Sequence, residues 1–227
     1  SEDEDEDDDD NEEDDQPHNR RVLGRLEIEA MMDKELSPYF RLNLFPNLQK
    51  LNLLFEDALY PLGPFVLRGF QALTNLKELK IDIMSRSIRT KYIFQGMLFL
   101  PLLKTFTLRI THLKSEDWKL LNRFIMIQDE LETFGLYVRL EKGTKEQYSQ
   151  QNQSLETFIQ CFEGHKAIKS LDIQSAYWSL EALSNGLKHL LKMPNQLKTF
   201  RFQASDDTIN SKEKYSKRVE GLCKFLK

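Results

Sequence analysis

The sequence predicts an α/β fold of about seven strand–helix units stacked side by side, with a curved parallel sheet inside and helices outside. Three observations lead there. A short pattern, apolar-x-x-apolar-x-apolar, returns through the chain at regular intervals. Each occurrence is followed by a polar stretch and then by apolar residues at three- and four-residue steps, the spacing of one helix face. The words NLQKL, NLKEL, LLKTF, ELETF and QLKTF also resemble one another at the same phase of the repeat. A lone strand–helix unit cannot bury both its faces, whereas stacked neighbours can.

The strands are expected at Leu23, Leu26, Ile28; Leu48, Leu51, Leu53; Leu76, Leu79, Ile81; and Leu103, Phe106, Leu108. They continue at Leu131, Phe134, Leu136; Ile168, Leu171, Ile173; and Leu197, Phe200, Phe202. First positions are separated by 25, 28, 27, 28, 37 and 29 residues. Helices are expected around Phe65, Val66, Phe70 and Leu73, and around Trp118, Leu121, Phe124 and Ile127. Later ones fall on Leu155, Phe158, Cys161 and Phe162; on Leu183, Leu187 and Leu190; and on Val219, Leu222 and Phe225. Pro46, Pro101 and Pro194 stand just ahead of three strands, where proline helps to end a helix. The 37-residue unit carries about nine extra residues, read as a surface loop over 141–153, EKGTKEQYSQQNQ. An eighth strand would begin almost where the sequence stops, so the repeat domain, 20–227, is expected to be truncated at its C-terminus. The absence of an initiator Met points to a fragment or trimmed chain in the same way.

In a strand x-L-x-L-x the leucines face the core and the intervening residues face outward. The middle outward column is then Glu27, Asn52, Lys80, Thr107, Gly135, Asp172 and Arg201. The column after it is Glu29, Leu54, Asp82, Arg109, Tyr137, Gln174 and Gln203, and the one before it is Arg25, Lys50, Glu78, Thr105, Thr133, Ser170 and Thr199. Glu78, Asp82 and Asp172 interrupt what would otherwise be a basic strip, a mixture that suits a protein partner better than a polyphosphate. The residues expected to bind it are Lys50, Asn52, Leu54, Lys80, Asp82, Thr107, Arg109, Tyr137, Asp172, Gln174 and Arg201.

These repeats resemble the leucine-rich repeat family, in particular its long-repeat, ribonuclease-inhibitor-like type, over residues 20–227. The resemblance implies a solenoid with its strands on the concave face. It departs at one place. The family commonly has Asn or Cys three positions after the last strand leucine, where this chain has Met31, Glu56, Met84, Thr111, Arg139, Ala176 and Ser205. Only Thr111 and Ser205 offer a comparable side-chain hydrogen bond. The resemblance further implies an inhibitor, an adaptor, a substrate receptor of a ubiquitin ligase, or an activator of small GTPases.

The charge is divided. Thirteen of the first fifteen residues are acidic and none is basic, so residues 1–19 read as an acidic, disordered tail. Such a tail recruits a basic partner or folds back on its own body. The other 212 residues hold 23 acids against 32 bases, a net charge of +9. Lys212, Lys214, Lys217 and Arg218 add a local basic cluster. Cys161 and Cys223, both in apolar stretches, suit reduced thiols and an intracellular setting, cytoplasmic or nuclear. No apolar run approaches the length of a membrane-spanning helix.

Signals for chemistry are poor. No glycine-rich phosphate loop is present, and His18, His112, His165 and His189 lack ligand spacing with one another or with the cysteines. No motif positions a nucleophile, and no cofactor is expected. Asn152-Gln153-Ser154 is a formal glycosylation sequon. The expectation is a non-catalytic scaffold or adaptor that holds a protein partner on its concave sheet, or seats it in a larger assembly. The alternative is a nucleic-acid-associated or ribonucleoprotein component that uses the basic body.

Overall fold

Lys50–Phe55, Glu78–Ile83, Thr105–Ile110, Thr133–Val138, Ser170–Ser175 and Thr199–Ala204 form strands β2 to β7, each on one of the short sequence patterns. The computed structural model describes residues 27–32, 42–55, 63–84, 90–139, 145–175, 185–186, 188–190, 192–193, 197–204 and 219–220. The acidic tail, the basic cluster at 212–218, Cys223 and, of the helix expected around Leu183–Leu190, residues 183–184 and 187 lie outside these residues.

Strand β1 is Glu27–Met32 and strand β8 is Val219–Glu220. The sheet runs β1-β2-β3-β4-β5-β6-β7-β8, so each strand pairs with its neighbours in sequence. All pairings from β1 to β7 are parallel. Helices occupy the connections: α1 Gly63–Ala72, α2 Thr90–Met97, α3 Ser115–Ile127 and α4 Lys145–Gln160. The result is an α/β fold with a parallel sheet and helices between strands.

Strands alternate in burial, with Leu51, Leu53 and Phe55 of β2 matched by Leu79, Ile81 and Ile83 of β3. These side chains join those of the helices in one apolar cluster, which leaves the opposite sheet face open. Phenylalanine dominates its middle. Phe106 lies 5.1 Å from Phe124 and 5.7 Å from Phe134, and Phe134 in turn lies 5.5 Å from both Phe158 and Phe162. Tilted and edge-on pairs of this kind each add about 0.5–1.5 kcal/mol beyond the area they bury. At Gly96 of α2 a Cβ would meet Phe70 Cδ2 at 2.8 Å and the Leu67 Cα at 3.3 Å, so α1 and α2 approach as closely as they do because that position is glycine.

Polar groups under the helices stitch adjacent units. Thr90 Oγ1 donates to Asp117 Oδ1 at 2.7 Å, and the Lys114 N–H donates to Asp117 Oδ2 at 2.9 Å. Trp118 Nε1 donates to Gln151 Oε1 at 3.0 Å, while Gln151 Nε2 donates to the Leu113 carbonyl at 2.6 Å. Gln128 Nε2 donates to the Leu100 carbonyl at 3.0 Å, joining two equivalent turns that each lie five residues ahead of a strand. Glu163, in the turn after α4, pairs with His189 and with Lys192.

Four sequence expectations are corrected. Strand β1 pairs Ile28 with Leu51 and Ala30 with Leu53, so Glu29 rather than Glu27 stands in the middle column and the first unit is displaced by two residues. Residues 145–153 belong to helix α4 rather than to a loop, because Gln151 fills a core-facing place four residues before Leu155. On α3, Ile125 takes the buried position expected for Ile127, which is exposed. Val219 and Glu220 form a strand antiparallel to β7 instead of starting a helix.

Candidate functional site: the open face of the sheet

Because the strands are in register, three outward columns cross the sheet. The middle column is Glu29, Asn52, Lys80, Thr107, Gly135, Asp172 and Arg201. On its C-terminal side, Met31, Leu54, Asp82, Arg109, Tyr137, Gln174 and Gln203 share the next column. From β2 onward every residue expected in these columns takes its expected place.

Six of the eleven expected binding residues form one connected chain. Arg109 Nη1 lies 3.8 Å from Asp82 Oδ2, and the Arg109 guanidinium carbon sits 5.1 Å from the centre of the Tyr137 ring. The Tyr137 hydroxyl donates to Asp172 Oδ2 at 2.9 Å. Gln174 Nε2 donates to Asp172 Oδ1 at 2.8 Å, and Arg201 Nη1 approaches Asp172 Oδ2 at 3.5 Å. The chain therefore runs from β3 to β7. Lys50 pairs separately with Glu78 at 3.8 Å. Asn52, Leu54, Lys80 and Thr107 share the face, but among the described residues their side chains join no hydrogen bond or ion pair.

Gly135 is what lets Tyr137 lie down. A Cβ at Gly135 would meet Tyr137 Cε2 at 3.2 Å and Thr107 Oγ1 at 3.4 Å, so the ring leans over the bare backbone towards Asp172 in the middle column. Glycine weakens a strand interior and often marks a close approach of another group to the backbone. Burial, the hydrogen bond to Asp172 and the Asp172 charge together push the Tyr137 phenol up to about 12. Arg109 and Arg201 oppose that rise. The phenol stays a neutral donor at any ordinary pH.

A second charged feature lies along the edge where the parallel strands begin. The residues just ahead of β3, β4, β5, β6 and β7 are Lys77, Lys104, Glu132, Lys169 and Lys198. Their backbones are equivalent: the Lys77 carbonyl accepts from the N–H groups of Lys104 and Thr105, and the Lys169 carbonyl accepts from those of Lys198 and Thr199. Lys169 Nζ contacts Glu132 at 2.8 Å, and Lys104 Nζ lies 3.9 Å from Glu130. The Lys169 hydrogen bond and charge, followed by Lys104 and Lys198, hold the Glu132 carboxyl below the ordinary glutamate range. Sequence reasoning missed this column, although four of its five residues occupy the third place of the words NLKEL, LLKTF, ELETF and QLKTF.

On the helix side, Met126, Thr157, Cys161 and His165 line a groove. Burial pushes the Cys161 thiol up, away from the thiolate, and its Sγ contacts the Thr157 carbonyl at 3.4 Å. Burial also pushes His165 down. Among the described residues, no group of three His, Cys, Asp or Glu side chains could hold a metal ion, and no helix is long and apolar enough to cross a membrane. Comparison of the chain with protein-family models finds no match, and comparison with curated proteins finds no significant one.

Proposed function

We propose that the chain is a non-catalytic scaffold of leucine-rich-repeat type that holds a protein partner on the open face of its sheet. The observation that carries this reading is the connected chain Asp82–Arg109–Tyr137–Asp172–Arg201, which crosses five strands. Side chains already fixed by one another lose little rotamer freedom when a partner arrives, which keeps down the entropy cost of association. Tyr and Arg are also the residue types that concentrate binding energy at protein interfaces. Adaptor, GTPase-activator and substrate-receptor roles are special cases of such a scaffold.

A second reading, association with nucleic acid, draws on Lys77, Lys104, Lys169 and Lys198 along the strand-start edge. The carboxylates of Asp82 and Asp172 leave the sheet face itself unsuited to a continuous polyphosphate.

The test is co-purification of the tagged full chain from its source cells, with the recovered proteins quantified by mass spectrometry. Arg109→Glu combined with Arg201→Glu should release the partner, while Lys119→Glu combined with Arg123→Glu, on the exposed side of α3, should retain it. The reverse result contradicts a sheet-face scaffold. Recovery of nuclease-sensitive material in place of protein favours the second reading.

A further inference from the structure

The lysine column is under-compensated. Lys77 and Lys104 are neighbours across one strand step, and so are Lys169 and Lys198, with the carboxylate of Glu132 between the two pairs and that of Glu130 beside Lys104: two carboxylates against four lysines. Among the described residues Lys77 and Lys198 join no ion pair. Like charges at adjacent strand positions repel, so each pair offers a place for an anion. With strands about 4.8 Å apart, the column from β3 to β7 is about 19 Å long.

The same edge is where the chain enters the sheet. Glu27 begins β1 and pairs with Lys50, the residue after Gln49, which is the equivalent of Lys77 in the preceding unit. Residues 16–26 separate Glu27 from the segment 1–15, whose fifteen residues include thirteen acids. Eleven residues span up to about 38 Å when extended. The whole edge from β1 to β7 is about 29 Å at the usual strand spacing, so the acidic segment can reach every lysine of the column.

We propose that residues 1–15 dock on Lys77, Lys104, Lys169 and Lys198, as an internal polyanion that shields this edge from external ones. Charge complementarity selects the segment, and tethering raises its effective concentration at the edge to the millimolar range. An external nucleic acid must displace it to reach the lysines. The contact is electrostatic, so it weakens as the Debye length falls from about 10 Å at 0.1 M salt to about 3 Å at 1 M.

The test is paramagnetic relaxation enhancement in the full chain. A spin label is placed at Asn11→Cys in a Cys161→Ser, Cys223→Ser background. At low salt the amides of Lys77, Lys104, Lys169 and Lys198 should lose more than half their intensity, while those of Ile83, Ile110 and Val138 at the opposite edge keep theirs. High salt, or Lys104→Glu with Lys198→Glu, should restore the lost signals. Uniform intensities at low salt, or losses indifferent to the charge reversal, overturn the proposal. So do losses in a mixture of labelled and isotopically enriched copies, which would assign the contact to a second molecule. A short oligouridylate should bind several-fold more tightly after Asp7→Asn, Asp8→Asn, Asp9→Asn and Asp10→Asn are combined. Equal affinity for the two chains would leave the lysines open to external polyanions and overturn it as well.

Discussion

The Tyr137 hydroxyl and Arg201 Nη1 meet the same carboxylate oxygen, Asp172 Oδ2, at 2.9 and 3.5 Å. One side chain on β6 thus couples β5 to β7 across the open face. Its influence on the phenol can be read directly. A spectrophotometric titration should show Tyr137 ionising near about 12, above the usual tyrosine value of about 10. The raised value means that the folded state holds the phenolic proton more tightly than the unfolded state does. This contribution to stability is fully present below about pH 10 and is lost as pH rises through about 12. Asp172→Asn should lower the midpoint, and an unchanged midpoint would contradict the assigned contact.

Gly135→Ala separates the ring from its partner without emptying the core. The new methyl must push Tyr137 Cε2 back from 3.2 Å, a few tenths of an ångström that a side chain can give. Alanine also recovers about 0.5–1 kcal/mol of backbone entropy relative to glycine in a strand. Stability should therefore change little while the tyrosine midpoint falls. A large loss of stability with an unchanged midpoint would show that the ring does not lie over this position.

Asp117 is only 2% exposed and satisfies two donors, Thr90 Oγ1 and the Lys114 N–H. Asp117→Ala leaves both unpaired; a lost cap costs about 0.5–2 kcal/mol and an unsatisfied buried group about 1–3 kcal/mol. Denaturant unfolding should place Asp117→Ala well below Thr90→Ala, because the second variant leaves the helix-start bond to Lys114 in place. Equal losses would mean that the bond to the Lys114 N–H contributes nothing.

The strand positions were legible because each inward pair is large and apolar, as with Phe106 and Leu108 or Leu171 and Ile173, and because sheet parity then fixes the outward columns. The first unit misled for the same reason. Leu23, Leu26 and Ile28 satisfy the pattern, but the pairing uses Ile28 and Ala30, and alanine carries little apolar signal. Helix α4 was hidden by its polar first half: Gln151 is core-facing and hydrogen-bonded, a role that hydropathy cannot register. The face residues could be named from parity alone. Their linkage could not, because the Tyr137–Asp172 contact steps diagonally between columns and depends on the missing side chain at Gly135.

Leu79 separates core from face in one substitution series. It is 1% exposed on β3, and Leu79→Ala should cost about 2–5 kcal/mol through lost burial and the cavity left behind. Leu79→Asp should unfold the chain by burying an unpaired charge. Lys80→Ala, one residue along on the open face, should stay within about 0.5 kcal/mol of the parent. Similar losses at both positions would contradict the assigned parity.

The register between units is the claim on which the face, its linked side chains and the lysine edge all depend, and disulfide trapping tests it most directly. In a Cys161→Ser, Cys223→Ser background, Lys80→Cys and Thr107→Cys stand opposite one another on β3 and β4. Neighbouring strands at about 4.8 Å put their Cα atoms within bridging range. Asp82→Cys with Thr107→Cys, offset by two residues, lie about 8 Å apart, beyond it. Mild oxidation should cross-link the first pair and leave the second reduced; cross-linking of the second pair alone would contradict the register.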